Sequence, residues 1–268
     1  MQRTCRYVPF RNQPLRLVLC QVRISPVQTM ADYMAPIQEE FRRQGFPIER
    51  QGKVQQLMIT PTGLQQTEQM RWEYRSKDET RSILVFPDAV VVQTTAYERF
   101  EKFAEDLRLA LGTVLTKTEN DKLGLVHRIG LRYVDLVSPR DGEDYRLYLQ
   151  NGVHGLATEA FKPGSARTVV QTMGATDVGG TPGGFIVRVT QNDQGLELPP
   201  DLLGDAPTLA RKAQPGKLVA HVDMDHFIEG NFDAKVEWVV EKAYQLHDHI
   251  IETFHEHVIT SHARKVWE

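Results

Sequence analysis

Hydrophobic and polar positions change period several times along this chain, and each change marks an expected element. "LRLVLCQVRI" (15–24) mixes apolar and polar positions with β-branched residues and reads as a strand. In "TMADYMAPIQEEFRRQG" (29–45), Met30, Tyr33, Met34, Ile37 and Phe41 recur at helical spacing. Thr29, with Asp32 three residues on, supplies an N-cap, and Gly45 and Pro47 stop the helix. Pro36 inside it predicts a kink or a late start. Four strands follow at 54–60, 70–76, 81–86 and 89–95, with connections too short for crossover helices, so they form an antiparallel meander. A second helix is expected at 96–117. Thr95 and Glu98 match a capping box, and Tyr97, Phe100, Phe103, Leu107, Leu111 and Val114 make one apolar stripe.

From residue 123 the order starts again. "LGLVHRIGLRYVDLV" (123–137) reads as a long strand and 143–151 as a short helix. Residues 165–173 and 184–191 form a hairpin across the glycine-rich "VGGTPGGF" (178–185), and 218–227 is the last strand. A closing helix spans 232–259, with Val236, Val239, Ala243, Leu246, Ile250, Phe254 and Val258 on its buried stripe. The pattern predicts an α+β protein of two similar halves, 1–120 and 121–268, in one compact unit. Each half is expected to be an antiparallel sheet with a long helix packed on one face. "LELPPDLLGDAPT" (196–208) reads as a surface connection.

Composition narrows the function classes. In 268 residues, 41% apolar and 25% charged, there is material for a packed core, and a net charge of −3 leaves no general basic footprint. Arg3, Arg6, Arg11, Arg16 and Arg23 nevertheless stand in a start without acidic residues, so nucleic acid contact through residues 1–23 is an option beside a merely solvated arm. Cys5 and Cys20 have no metal or CxxC spacing, which points to a reducing, cytoplasmic setting. Neither a membrane-length apolar run nor the apolar core of a leader is present, so no membrane partner is expected.

The densest chemistry is "AHVDMDHF" (220–227). Strand alternation puts His221, Asp223 and Asp225 on one face and Val222, Met224 and His226 on the other. Two carboxylates at i, i+2 are about 7 Å apart, too far for one small cation without further ligands. Arginine partners are at hand. Arg128 and Arg132 share a face of "HRIGLRY" with Gly130 between them, together with Val126, Val134 and Leu136; His127 and Tyr133 lie on the opposite face with Ile129 and Leu131. If the two strands are neighbours, Arg and Asp pair across them. The same four residues, Arg128, Arg132, Asp223 and Asp225, are also the candidate lining of a phosphate-binding pocket, with Gly130 admitting the ligand. Trp72 and Tyr74, two apart on one strand, are candidate stacking residues, though a core placement is preferred. His247, His249, His255, His257 and His262 lack metal-ligand spacing; His249, Glu252 and Glu256 read as a solvated or partner-facing stripe. No catalytic residue, metal site or cofactor is assigned.

"YERFEKFAEDL", "HRIGLRYVDLV", "VDMD" and the ending "LHDHIIETFHEHVITSHARKVWE" together resemble a sporadically distributed bacterial family with no assigned activity. The resemblance covers roughly residues 13–268; the "RIGLRY" strand and the closing tryptophan carry most of it. It implies a protein of the mobile gene pool, of the kind found in defence or toxin–antitoxin loci, and supplies no catalytic residue. The expected function is non-catalytic binding to a protein partner, alone or as an oligomer. The rival is an enzyme or sensor holding a phosphorylated or nucleotide ligand between the arginines and aspartates.

Overall fold

β1 (Leu15–Ile24) and β6 (Leu125–Val137) pair antiparallel in the middle of one sheet, and the rest of the fold is arranged around that pairing. The structure is a computed structural model. It describes residue 7 and residues 10–60, 63–156, 168–192, 196–204, 206–211 and 219–268. Among them are β2 (Ile48–Thr60), β3 (Gly63–Arg75), β4 (Arg81–Phe86), β5 (Ala89–Thr94), β7 (Val169–Asp177), β8 (Pro182–Asn192) and β9 (Val219–Asp233). All nine strands join one antiparallel sheet in the order β2-β3-β4-β5-β1-β6-β9-β8-β7. The helices are α1 (Met30–Arg43), α2 (Phe100–Lys117), α3 (Asn120–Leu123), α4 (Val236–Thr253) and α5 (Ser261–Trp267). The architecture is α+β.

Alternation along each strand separates the two faces. Val18, Cys20 and Val22 of β1, Ile129, Leu131 and Tyr133 of β6, and Val222 and Met224 of β9 turn toward the helices and share a core with Phe103, Leu107, Leu111, Leu246 and Ile250. Val126, expected beside Arg128 and Val134, belongs to this core instead. The register slips between Val126 and Arg128, and that bulge reverses the parity of everything before it. His127 sits in the bulge, half-exposed, with Nδ1 2.9 Å from Asn231 Oδ1. On the opposite face a smaller cluster of Leu17, Val134, Leu198 and Leu202 forms where residues 196–204 and 206–211 cross the sheet. The expected connection is thus a strap. Arg75 and Thr95 donate to the carbonyls of Ala206 and Thr208, and Arg211 donates to that of Gln13.

Several helix ends differ from the sequence pattern. Pro36 neither delays nor ends α1; it is exposed, so the backbone bond it removes faces water. Thr29 makes no side-chain cap. α2 begins at Phe100 because Thr95, the expected cap, spends its hydroxyl on the strap. The element expected at 143–151 is only a 3-10 turn at Tyr145–Leu147, since Leu149 bridges Ile259. That bridge and the Gln150 amide on the Val258 carbonyl also close the last helix early. α4 stops at Thr253 and a π-helical turn, Phe254–Val258, leads into α5.

The glycine-rich segment is a two-residue hairpin. Val178 and Thr181 exchange backbone bonds of 2.8 and 3.3 Å around Gly179 and Gly180, whose φ of 57° and 77° suit residues without a Cβ. Buried Lys242 of α4 donates to the carbonyls of Val178 (2.6 Å) and Gly179 (3.0 Å), which ties the hairpin to the helical layer. Gly183 and Gly184 begin β8 because a Cβ at Gly183 would stand 2.6 Å from the Phe227 carbonyl oxygen of β9. Gly183→Ala should lower stability by about 1–3 kcal/mol in urea unfolding, although strand propensity alone favours alanine.

Candidate functional site

The residues singled out by pattern come together on the strap-covered face. β6 and β9 are adjacent, with Arg132 opposite Asp225, yet the side chains reach diagonally. Arg132 binds Asp223 bidentately, Nε to Oδ1 and Nη2 to Oδ2, both at 2.7 Å, and its Nη1 donates to Asp201 of the strap at 2.7 Å. Arg128 donates to Asp225 at 3.2 Å and lies 3.4 Å from Glu229. Arg188 of β8 approaches Asp223 at 3.4 Å. Burial alone would push the Arg132 guanidinium down, but its bonds to Asp223 and Asp201 reverse this and hold it above the ordinary range. Burial raises the Asp225 carboxyl, and Arg128 pulls it back.

Gly130 does not admit a ligand here. The Arg128 guanidinium itself lies across it, within contact distance of any Cβ placed there, and stacks over the Phe227 ring at 4.7 Å. The four side chains therefore form a layer of cross-strand ion pairs. Trp72 and Tyr74 are in the core, 5% and 0% exposed, with Tyr74 5.1 Å from Phe41 of α1, so neither offers a stacking platform. Cys20 is buried and its thiol is pushed up to about 12 by burial. Arg16 and Arg23 belong to β1, and Arg16 faces Glu197 at 3.9 Å. Cys5, Arg3 and Arg6 lie outside the described residues. Among the described residues no group of three His, Cys, Asp or Glu side chains is placed to hold a metal ion. Among them, too, no helix is long and apolar enough to cross a membrane.

A cavity of about 700 Å³ opens on the other face, between the start of α2, the second half of α4 and the ends of β1 and β6. Its walls are rings: Tyr97 and Phe100 from the α2 side, Tyr133 from β6, Tyr244 and Phe254 from the α4 side. Tyr7 and Phe10 close one end. Tyr7 stacks on His255 at 4.3 Å, and Phe10 packs against His255 and Trp267. His247 projects from α4 and stacks on Phe100 at 4.2 Å, with Nδ1 2.8 Å from the Tyr133 hydroxyl, which also donates to Tyr97 at 3.2 Å. Burial pushes His247 down to about 3 and His255 to about 4. At the base stands Asp135 of β6, 4% exposed and without a hydrogen bond among the described residues. Burial raises it to about 8, against a weaker pull from Arg16. Glu101, Asp248 and Glu252 line the cavity with Arg99.

Sequence pattern named neither Asp135 nor this cavity. One signal existed: Asp135 shares the parity of Tyr133 and Val137, so a carboxylate falls on a core-facing strand position, where charged residues are rare. His247 carried less signal, since one imidazole among five between residues 247 and 262 is not distinctive. No protein-family model matches the chain, and a search of curated proteins returns no significant match.

Two outcomes follow from this geometry. Arg132→Gln strands the buried Asp223 carboxylate and should cost about 3–5 kcal/mol in urea unfolding, whereas replacing both partners, Arg132→Met with Asp223→Leu, should recover most of that loss. The second is a pH effect. Below the ordinary carboxyl value of 3.8, Asp135 is protonated in both folded and unfolded chains; between there and about 8 the folded chain binds the extra proton, so its contribution to stability falls as pH rises. Asp135→Asn should therefore raise the melting temperature more at pH 9 than at pH 5. Asp135 would be excluded as a buried, raised carboxyl by equal shifts at the two values.

Proposed function

We propose that this is a non-catalytic binding protein whose ligand site is the ring-lined cavity on the helical face. The observation that carries this is the division of labour between the faces. The charged residues suited to gripping phosphate bind one another, while the open space stands elsewhere and is walled by aromatic side chains. A volume of about 700 Å³ falls within the usual range for small-molecule sites, and mostly apolar walls with few polar groups are their common composition. A nucleotide pocket built from Arg128, Arg132, Asp223 and Asp225 would first have to break the ion pairs these residues make.

A protein partner fits the same reading. Among the described residues β7 ends the sheet, with Val169 and Met173 62% and 69% exposed, and a sheet edge of this kind accepts an added strand. The family resemblance is what suggests a partner encoded nearby in a defence or toxin–antitoxin locus. We also infer that the sheet descends from two related halves. β1 and β6 each open a run of strands closed by a long helix, α2 or α4, and strands of the two runs occupy separate ends of the sheet.

The cavity reading is tested by thermal shift with a neutral ring compound, 2-phenylethanol. The melting temperature should rise with concentration, the compound should be recovered unchanged, and Leu15→Trp, which fills the cavity from the end of β1, should abolish the shift. A shift that survives Leu15→Trp places the binding elsewhere and defeats the proposal.

A further inference from the structure

Asp135 determines what the cavity can hold. It is nine-tenths buried, faces the cavity and accepts no hydrogen bond among the described residues. A carboxyl in that position loses hydration, and the attraction of Arg16 offsets only part of that loss. Aromatic rings line the same cavity, and the negative face of an aromatic ring attracts a cation. Among the described residues, Glu101 and Glu252 line the cavity with Arg99. The two imidazoles in the wall, His247 and His255, are kept uncharged near neutral pH by burial and supply no counter-charge.

We propose that the cavity binds a small organic amine, its ammonium group paired with Asp135 and its apolar body lying against Phe100 and Tyr133. The proposal rests on the cavity being the ligand site and names the chemistry of the ligand. An ammonium has three donors and no acceptor, which matches a carboxyl lacking a partner. Its charge favours the ionised form of Asp135, so the carboxyl proton passes to solvent as the pair forms. A ligand carboxylate or phosphate would face Asp135, and is disfavoured for that reason. A neutral ring gains the walls and leaves Asp135 unmet.

The test is calorimetric titration of the full chain with 2-phenylethylamine and with its neutral counterpart, 2-phenylethanol. The amine should bind at least tenfold more tightly. Asp135→Asn, verified as folded by circular dichroism, should reduce the amine to the affinity of the alcohol. Equal affinities on the unmodified chain would overturn the amine proposal while leaving the cavity a ligand site. Binding of neither compound would overturn both. An amine preference that persists in Asp135→Asn would remove Asp135 as its partner. The comparison on the unmodified chain decides the matter even where the variant does not fold.

Discussion

The antiparallel pairing of β6 with its neighbours β1 and β9 governs this molecule. It fixes which side of the sheet each side chain enters. Through that one register, Ile129, Leu131, Tyr133, Val222 and Met224 meet the helices, and Arg128, Arg132, Asp223 and Asp225 meet each other behind them. A slip of one residue would put the guanidiniums into the apolar core and the valines into the strap, so the register is strongly specified. The bulge at Val126 is the one place where β6 changes parity against β9, and it does so at the strand's start, just before Arg128 and away from the cavity.

The two faces solve different problems. On the helical face, burial of apolar area holds α2 and α4 against the central strands, and the cavity lies between the start of α2, the second half of α4 and the end of β6. On the other face no α-helix among the described residues covers the sheet. Charged side chains satisfy one another across the strands there, and the strap covers the apolar remainder at Leu17 and Val134. Such ion pairs add little net stability but are costly to break singly, so they favour this register over its alternatives. The glycines of β8 serve the same end, since they let the β8 backbone come close to Phe227, the ring on which Arg128 rests.

The two chain ends make the cavity a product of distant segments. Asn12 donates to the carbonyl of Trp267, Tyr7 donates to Glu256, and Gln13 donates to the carbonyl of Tyr97. The beginning of the chain thereby closes a cavity whose base is β6 and whose wall is α4. Tyr7 and Phe10 are at once walls of the cavity and contacts to His255 and Trp267.

Local pattern was enough to determine the strands near 15–24, 81–86, 89–95 and 123–137, the stripes of α1, α2 and α4, and the shared faces of the arginines and of the aspartates, while the adjacency of β6 and β9 turned those faces into ion pairs. The strands, stripes and faces follow from periodicity, which is written in neighbouring residues. Tertiary contacts decided the rest. Thr95 was drawn from a helix cap to the strap by a carbonyl 113 residues away. The closing helix broke at Thr253 because residues near 150 bond to the backbone at Val258 and Ile259. Asp135 became the base of a cavity because segments from both ends of the chain close around it. None of these follows from spacing along the chain, since each depends on which backbone groups and rings the completed fold brings within a few ångströms.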